Sequence, residues 1–134
     1  MNRYSDVPKE ALAERAKELE CLYLIDEALS GADLPDTLKK VSGIIPWGFR
    51  NMQACTAVIV LDGQNYFTKP PLDNYDEMRT DIVLNGQTHG YIKVMYPKNT
   101  FLNENIIFLP QEERLLNTIS NRISESIYKK NYQT

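Results

Sequence analysis

Apolar residues recur every three or four positions from residue 7 to residue 30, and the pattern predicts an amphipathic helix. Leu12, Ala16, Leu19, Leu22, Ile25 and Leu29 form the stripe, widened by Tyr23 and Leu24. Asp6 is placed to cap this helix, Pro8 suits its first turn, and Gly31 stops it. A second helix opens at Asp33, with Pro35 in its first turn and Asp36 favourable to the N-terminal dipole; Leu34, Leu38, Val41 and Ile45 form its buried side, and Pro46 and Gly48 end it.

From Ala54 the period changes from that of helices to that of strands. The run ACTAVIVL meets Asp62-Gly63 and continues as NYFT, and the run RTDIVL meets Asn85-Gly86 and continues as QTHGYIKVMY. Asp-Gly and Asn-Gly both supply the two positive φ angles of a type I′ turn, so each pair of runs predicts a β-hairpin. In the last strand Ile92, Val94 and Tyr96 point to one face while Tyr91, Lys93 and Met95 point to the other. A two-residue register sets His89 opposite Ile82. The segment KPPLDNYDE reads as a connecting loop, and KNTFLNENIIFL as an irregular crossing anchored by its apolar residues. A long helix begins near Pro110, with Glu112 and Glu113 in its first turn, Lys129 and Lys130 near its end, and Leu116, Ile119, Ile123 and Ile127 as its apolar line.

Helix, helix, two hairpins and a long helix define an α+β domain with a small antiparallel sheet. The 134 residues suit one domain, residues 1–134, with terminal helices at about 7–30 and 110–130. A net charge of -3 argues against nucleic acid, whose binders carry a clustered basic face. No apolar run approaches the roughly 18 to 20 residues of a membrane span, and the N-terminal MNRYSDVPKEAL lacks the apolar centre of a signal peptide, so a cytoplasmic location is expected. Cys21 and Cys55 stand in apolar surroundings without CxxC spacing and read as buried free thiols.

Catalytic chemistry has no signature in the chain. There is no phosphate-cradling GxxxxGK[ST] or GxGxxG, no GxSxG nucleophile, and the single His89 has no partner at metal-ligand spacing. Neither a metal nor a cofactor is expected. Arg79 is a candidate anion clamp, because a guanidinium beside strand-borne aromatics can bind an oxyanion through two nitrogens. Trp47, Tyr66 and Tyr75 are candidates to line a pocket near it, and His89 is a candidate ligand contact.

The phrases ELECLYLIDEAL, IIPWGF, ACTAVIV, MRTDIVLNGQTHGYIKVMY and FLPQEERLLNTISNRISESI, in this order of elements, resemble the GAF-like regulatory domains of bacterial signalling proteins. The resemblance runs from about residue 14 to residue 128. Such domains often precede a histidine kinase, a DNA-binding region or a phosphoenolpyruvate-synthase-like unit. The resemblance implies a sensor or dimerisation module that signals through its first and last helices to a fused or partner output domain. The chain departs from the better-known members: it lacks the Cys-His pair that attaches a bilin, the cyclic-nucleotide signature and the cysteines of the methionine-sulfoxide reductases. The segment from Asn99 to Ile107 is also longer than the pattern.

The expectation is therefore a non-catalytic homodimer, with Leu12, Leu19, Ile123 and Ile127 at a coiled-coil-like seam. The alternative is a small-molecule domain with a pocket between the sheet and the 69–78 loop.

Overall fold

The computed structural model describes residues 9–102 and 104–132; the expected Asp6 cap and Pro8 lie outside them. Helix α1 spans Lys9–Leu29 and α2 spans Leu34–Ile44, continued by a 3-10 turn over Ile45–Gly48. Strands β1 (Thr56–Leu61), β2 (Gln64–Tyr66), β3 (Tyr75–Leu84) and β4 (Gln87–Pro97) follow, and α3 covers Pro110–Tyr132. The strands form one antiparallel sheet in the order β2-β1-β4-β3, so the two predicted hairpins join through β1 and β4. This is the α+β architecture that the sequence pattern predicts.

Both turns adopt the required backbone, with φ of 49° and 81° at Asp62 and Gly63 and of 52° and 78° at Asn85 and Gly86. Strand β3 begins at Tyr75, four residues earlier than the run RTDIVL, so the loop is confined to 67–74. It connects β2 and β3, which are the two edges of the sheet.

Register departs from expectation next to the second turn. Val83 pairs with Thr88 and Ile82 with Gly90, which leaves His89 as the extra residue of a β-bulge instead of facing Ile82. Gly90 makes this possible. A Cβ built there falls 1.9 Å from the Val60 carbonyl oxygen, so the β4 backbone meets β1 at a distance no other residue type tolerates.

The inner sheet face contributes Ala57, Ile59, Leu61, Ile82, Ile92, Val94 and Tyr96 to the core. Helix α3 adds Leu116, Ile119, Ile123 and Ile127 to this core, with Leu115 beside Gly48 of the 3-10 turn, and α2 adds Leu38 and Val41. Side-chain bonds also tie α3 to β3: the Ser120 hydroxyl donates to the Asp81 carbonyl at 2.6 Å, and the Thr80 hydroxyl to Asn117 Oδ1 at 2.7 Å.

Helix α1 packs on α2, the 3-10 turn and α3. Its buried line is Glu18, Cys21, Ile25 and Leu29. Leu12 and Leu19 are 46% and 51% exposed, so the stripe read from sequence divides into two faces. Three-residue steps explain the division, because each falls about 60° short of a full turn. The consecutive steps Leu19, Leu22 and Ile25 therefore rotate the line by about 120°.

Helices α1 and α3 run parallel. Asp26 pairs with Arg122, and the Leu29 carbonyl accepts bonds from Ser126 Oγ at 3.3 Å and Lys130 Nζ at 2.9 Å. Nearer their N-termini, Arg15, Glu18 and Leu22 face Arg114, Leu115 and Thr118 across a groove. The start of α1 and the end of α3 consequently lie at opposite ends of the pair.

The 98–109 segment is anchored by its apolar side chains, as expected, but also by a residue the sequence does not flag. The Arg50 guanidinium lies 3.8 Å from the Phe101 ring centroid, donates to the Ile106 and Ile107 carbonyls at 3.1 and 2.7 Å, and pairs with Glu104. Phe101 and Phe108 in turn hold the buried Tyr96 ring.

Candidate functional site

Strand alternation sorts the candidate residues before any contact is considered. Met78, Thr80 and Ile82 pair with or lie beside inward positions of β4, so Tyr75, Glu77, Arg79 and Asp81 project to the outer face together with Tyr91, Lys93 and Met95. On this face Arg79 stands directly opposite Lys93, and Lys93 also pairs with Val58 of β1.

The two cations rest on aromatic rings. The Arg79 guanidinium lies 4.0 Å from the Tyr91 ring centroid, and the Lys93 ammonium lies 5.1 Å from that of Tyr75 while donating to its hydroxyl at 3.0 Å. Ring quadrupoles attract such cations and partly offset the repulsion between like charges opposed on a sheet. Arg79 engages Glu77 through Nε at 3.3 Å, which leaves its two terminal nitrogens pointing elsewhere. Lys93 is half-buried on an inner strand, beside the buried Val58 and Met95, and has no ion pair among the described residues.

The other three candidates lie apart from this pair. Trp47 is 50% exposed and lines a cavity of about 170 Å³ with Met52, Gln53, Thr68 and Lys69, between the α2 end and the start of β1. Tyr66 packs on the core from the inner face of β2. His89 sits at the far end of the sheet, its Nδ1 2.9 Å from Asp62 Oδ1. The five candidates therefore do not line one pocket, because β-alternation and the crossing loop send them to four places. Residues 75–78 belong to β3, and the cavity beside Trp47 meets the 67–74 loop at Thr68 and Lys69.

The expected seam residues also separate. Ile123 and Ile127 are buried among the core residues, so in this fold they do not present a surface to a partner. Leu12 and Leu19 are free to do so, and with the exposed Ala16 and Tyr23 they make a second apolar line on α1.

Both cysteines are buried free thiols. Burial pushes the Cys21 thiol up to about 12 against its hydrogen bond with the Gly48 backbone, and burial raises Cys55 further still. The Tyr96 phenol is likewise raised by burial.

No family model, no curated protein and no solved structure matches this chain. Among the described residues no helix is long and apolar enough to cross a membrane.

Sequence reasoning missed two residues. Lys93 carried a signal, a lone cation in the run YIKVMY of an inner strand. Glu112 looked like an ordinary first-turn acid, but its side chain is buried, with Oε1 accepting the Leu109 N–H and Oε2 the Arg50 N–H, both at 2.8 Å. The first bond is half of a capping box; the second fastens the α3 start to the chain entering the sheet.

Proposed function

We propose that this chain is a non-catalytic regulatory domain of the GAF-like kind, which dimerises through α1 and passes a signal along the parallel α1 and α3 helices to an output domain. The observation that carries the reading is the second apolar line of α1. Leu12, Ala16, Leu19 and Tyr23 follow each other at steps of four, three and four, the spacing of a coiled-coil seam, and all four are exposed.

Charge favours a second copy of the same chain as the occupant. With Leu12 and Leu19 at d and Ala16 and Tyr23 at a, Arg15 falls at g and Glu20 at the following e. In a parallel in-register pair these two meet across the seam with opposite sign. Arg15 is 65% exposed and pairs with Glu18 of its own helix at 3.1 Å. The parallel course of α1 and α3 supports signal passage, since a shift imposed at one end of α1 is carried beside α3 towards its other end.

Light-scattering mass across a range of protein concentrations tests the dimer. The mass should rise towards twice that of the chain, and Leu19→Glu should hold it at one chain while leaving the circular-dichroism spectrum unchanged. A protein that stays monomeric throughout, or a Leu19→Glu variant that dimerises as well as the parent, would sink the proposal.

The runner-up, a small-molecule binding domain, is favoured by the opposed cations Arg79 and Lys93 on the outer sheet face, not by an enclosed pocket.

A further inference from the structure

We infer that the outer face of β3 and β4 is an anion-binding site, with Arg79 and Lys93 as its two ligands and a phosphate-bearing small molecule as its occupant. This does not depend on dimerisation. It rests on three features of the two cations.

The two cations are directly opposed across the β3–β4 ladder, a repulsion that the two tyrosine rings and the Glu77 ion pair of Arg79 offset only in part. Lys93 is half-buried on an inner strand next to Val58 and Met95, where an ammonium without a carboxylate costs stability and an apolar residue would gain it. Finally, each cation has been left with unused donors. Among the described residues Arg79 spends only Nε, on Glu77, and Lys93 spends one proton on the Tyr75 hydroxyl.

A compact oxyanion between the guanidinium and the ammonium answers all three. It neutralises the opposed charges, supplies the missing partner of Lys93, and takes the fork of Arg79 through two oxygens. Phosphate suits the site better than a carboxylate, because three oxygens can face two differently oriented donors at once. The Tyr75 and Tyr91 rings fix where the two cations sit, so little ordering is left to be done on binding. Glu77 and Asp81 flank the site on β3, and they favour a small ligand over a polyanion, whose further charges they would repel.

Two-dimensional amide NMR at constant ionic strength provides the test, with inorganic phosphate and phenyl phosphate as probes, and benzoate and chloride as comparison anions. Phosphate and phenyl phosphate should shift the amides of residues 77–81 and 91–95 saturably, and more strongly than the other two anions. Arg79→Gln and Lys93→Met should each weaken that response at least tenfold. Lys93→Met keeps an unbranched stem of similar length, and in the absence of anion it should melt at or above the temperature of the parent. That readout separates a ligand-holding lysine from one kept for its contact with Tyr75, whose loss lowers the melting temperature. Linear, unsaturable shifts, shifts equal for chloride, a response undiminished in both variants, or a destabilised Lys93→Met protein would each overturn the inference. Saturation by benzoate alone would replace phosphate by carboxylate and overturn the assigned ligand class.

Discussion

Replacing Glu112 tests how firmly the end of the 3-10 region is tied to α3. The buried carboxylate accepts one backbone N–H with each oxygen, from Leu109 and from Arg50, at 2.8 Å in both cases. A hydrogen bond to a charged acceptor contributes about 1.5–3 kcal/mol, so the two together amount to about 3–6 kcal/mol. Removing the carboxylate also removes its own desolvation cost, which brings the expected loss for Glu112→Ala to about 3 kcal/mol. Glu112→Gln keeps one acceptor but turns an NH2 group towards the second N–H, so it should lose one charge-assisted bond, about 1.5–3 kcal/mol. Urea unfolding followed by far-ultraviolet circular dichroism gives both values, provided the slope against denaturant matches the parent. Both variants should fall below the parent, with alanine at least as low as glutamine. An alanine variant within about 1 kcal/mol of the parent would refute the claim that this side chain joins the two segments.

Other substitutions separate packing from function. Gly90→Ala places a methyl group 1.9 Å from the Val60 carbonyl oxygen and should cost about 3 kcal/mol or more, read by the same unfolding experiment; near-parental stability would show that β1 and β4 can part without penalty. Ile123→Ala empties a fully buried core position and should lose about 2–5 kcal/mol in the same assay while the apparent association in light scattering is unchanged, the opposite signature to Leu19→Glu. The raised thiols give a pH signature: the unfolded chain releases the Cys21 proton from about pH 9, whereas the folded chain retains it until about pH 12, so folding stability should fall as pH rises through that window. The slope contributed by one such thiol is about 1.4 kcal/mol per pH unit, and Cys21→Ala should flatten a pH series of unfolding midpoints accordingly.

The sequence by itself determined the elements and their order. Asp62-Gly63 and Asn85-Gly86 announced two hairpins because few residue pairs adopt two consecutive positive φ angles, and the line Leu116, Ile119, Ile123 and Ile127 marked the buried side of α3. These are local properties of backbone and period. Which apolar residue meets which neighbour is not local. Only the packing of α1 on α2 and α3 divided its apolar positions into the buried Cys21, Ile25 and Leu29 and the exposed Leu12 and Leu19. Only the assembled sheet, in which Gly90 lies close against β1, has the bulge that moves His89 out of register. The anion site has the same origin: Arg79 and Lys93 are 14 positions apart in the chain, and the ladder between β3 and β4 sets them face to face. Spacing along the chain named the arginine, but cross-strand pairing, fixed by the turn and the bulge together, supplied its partner.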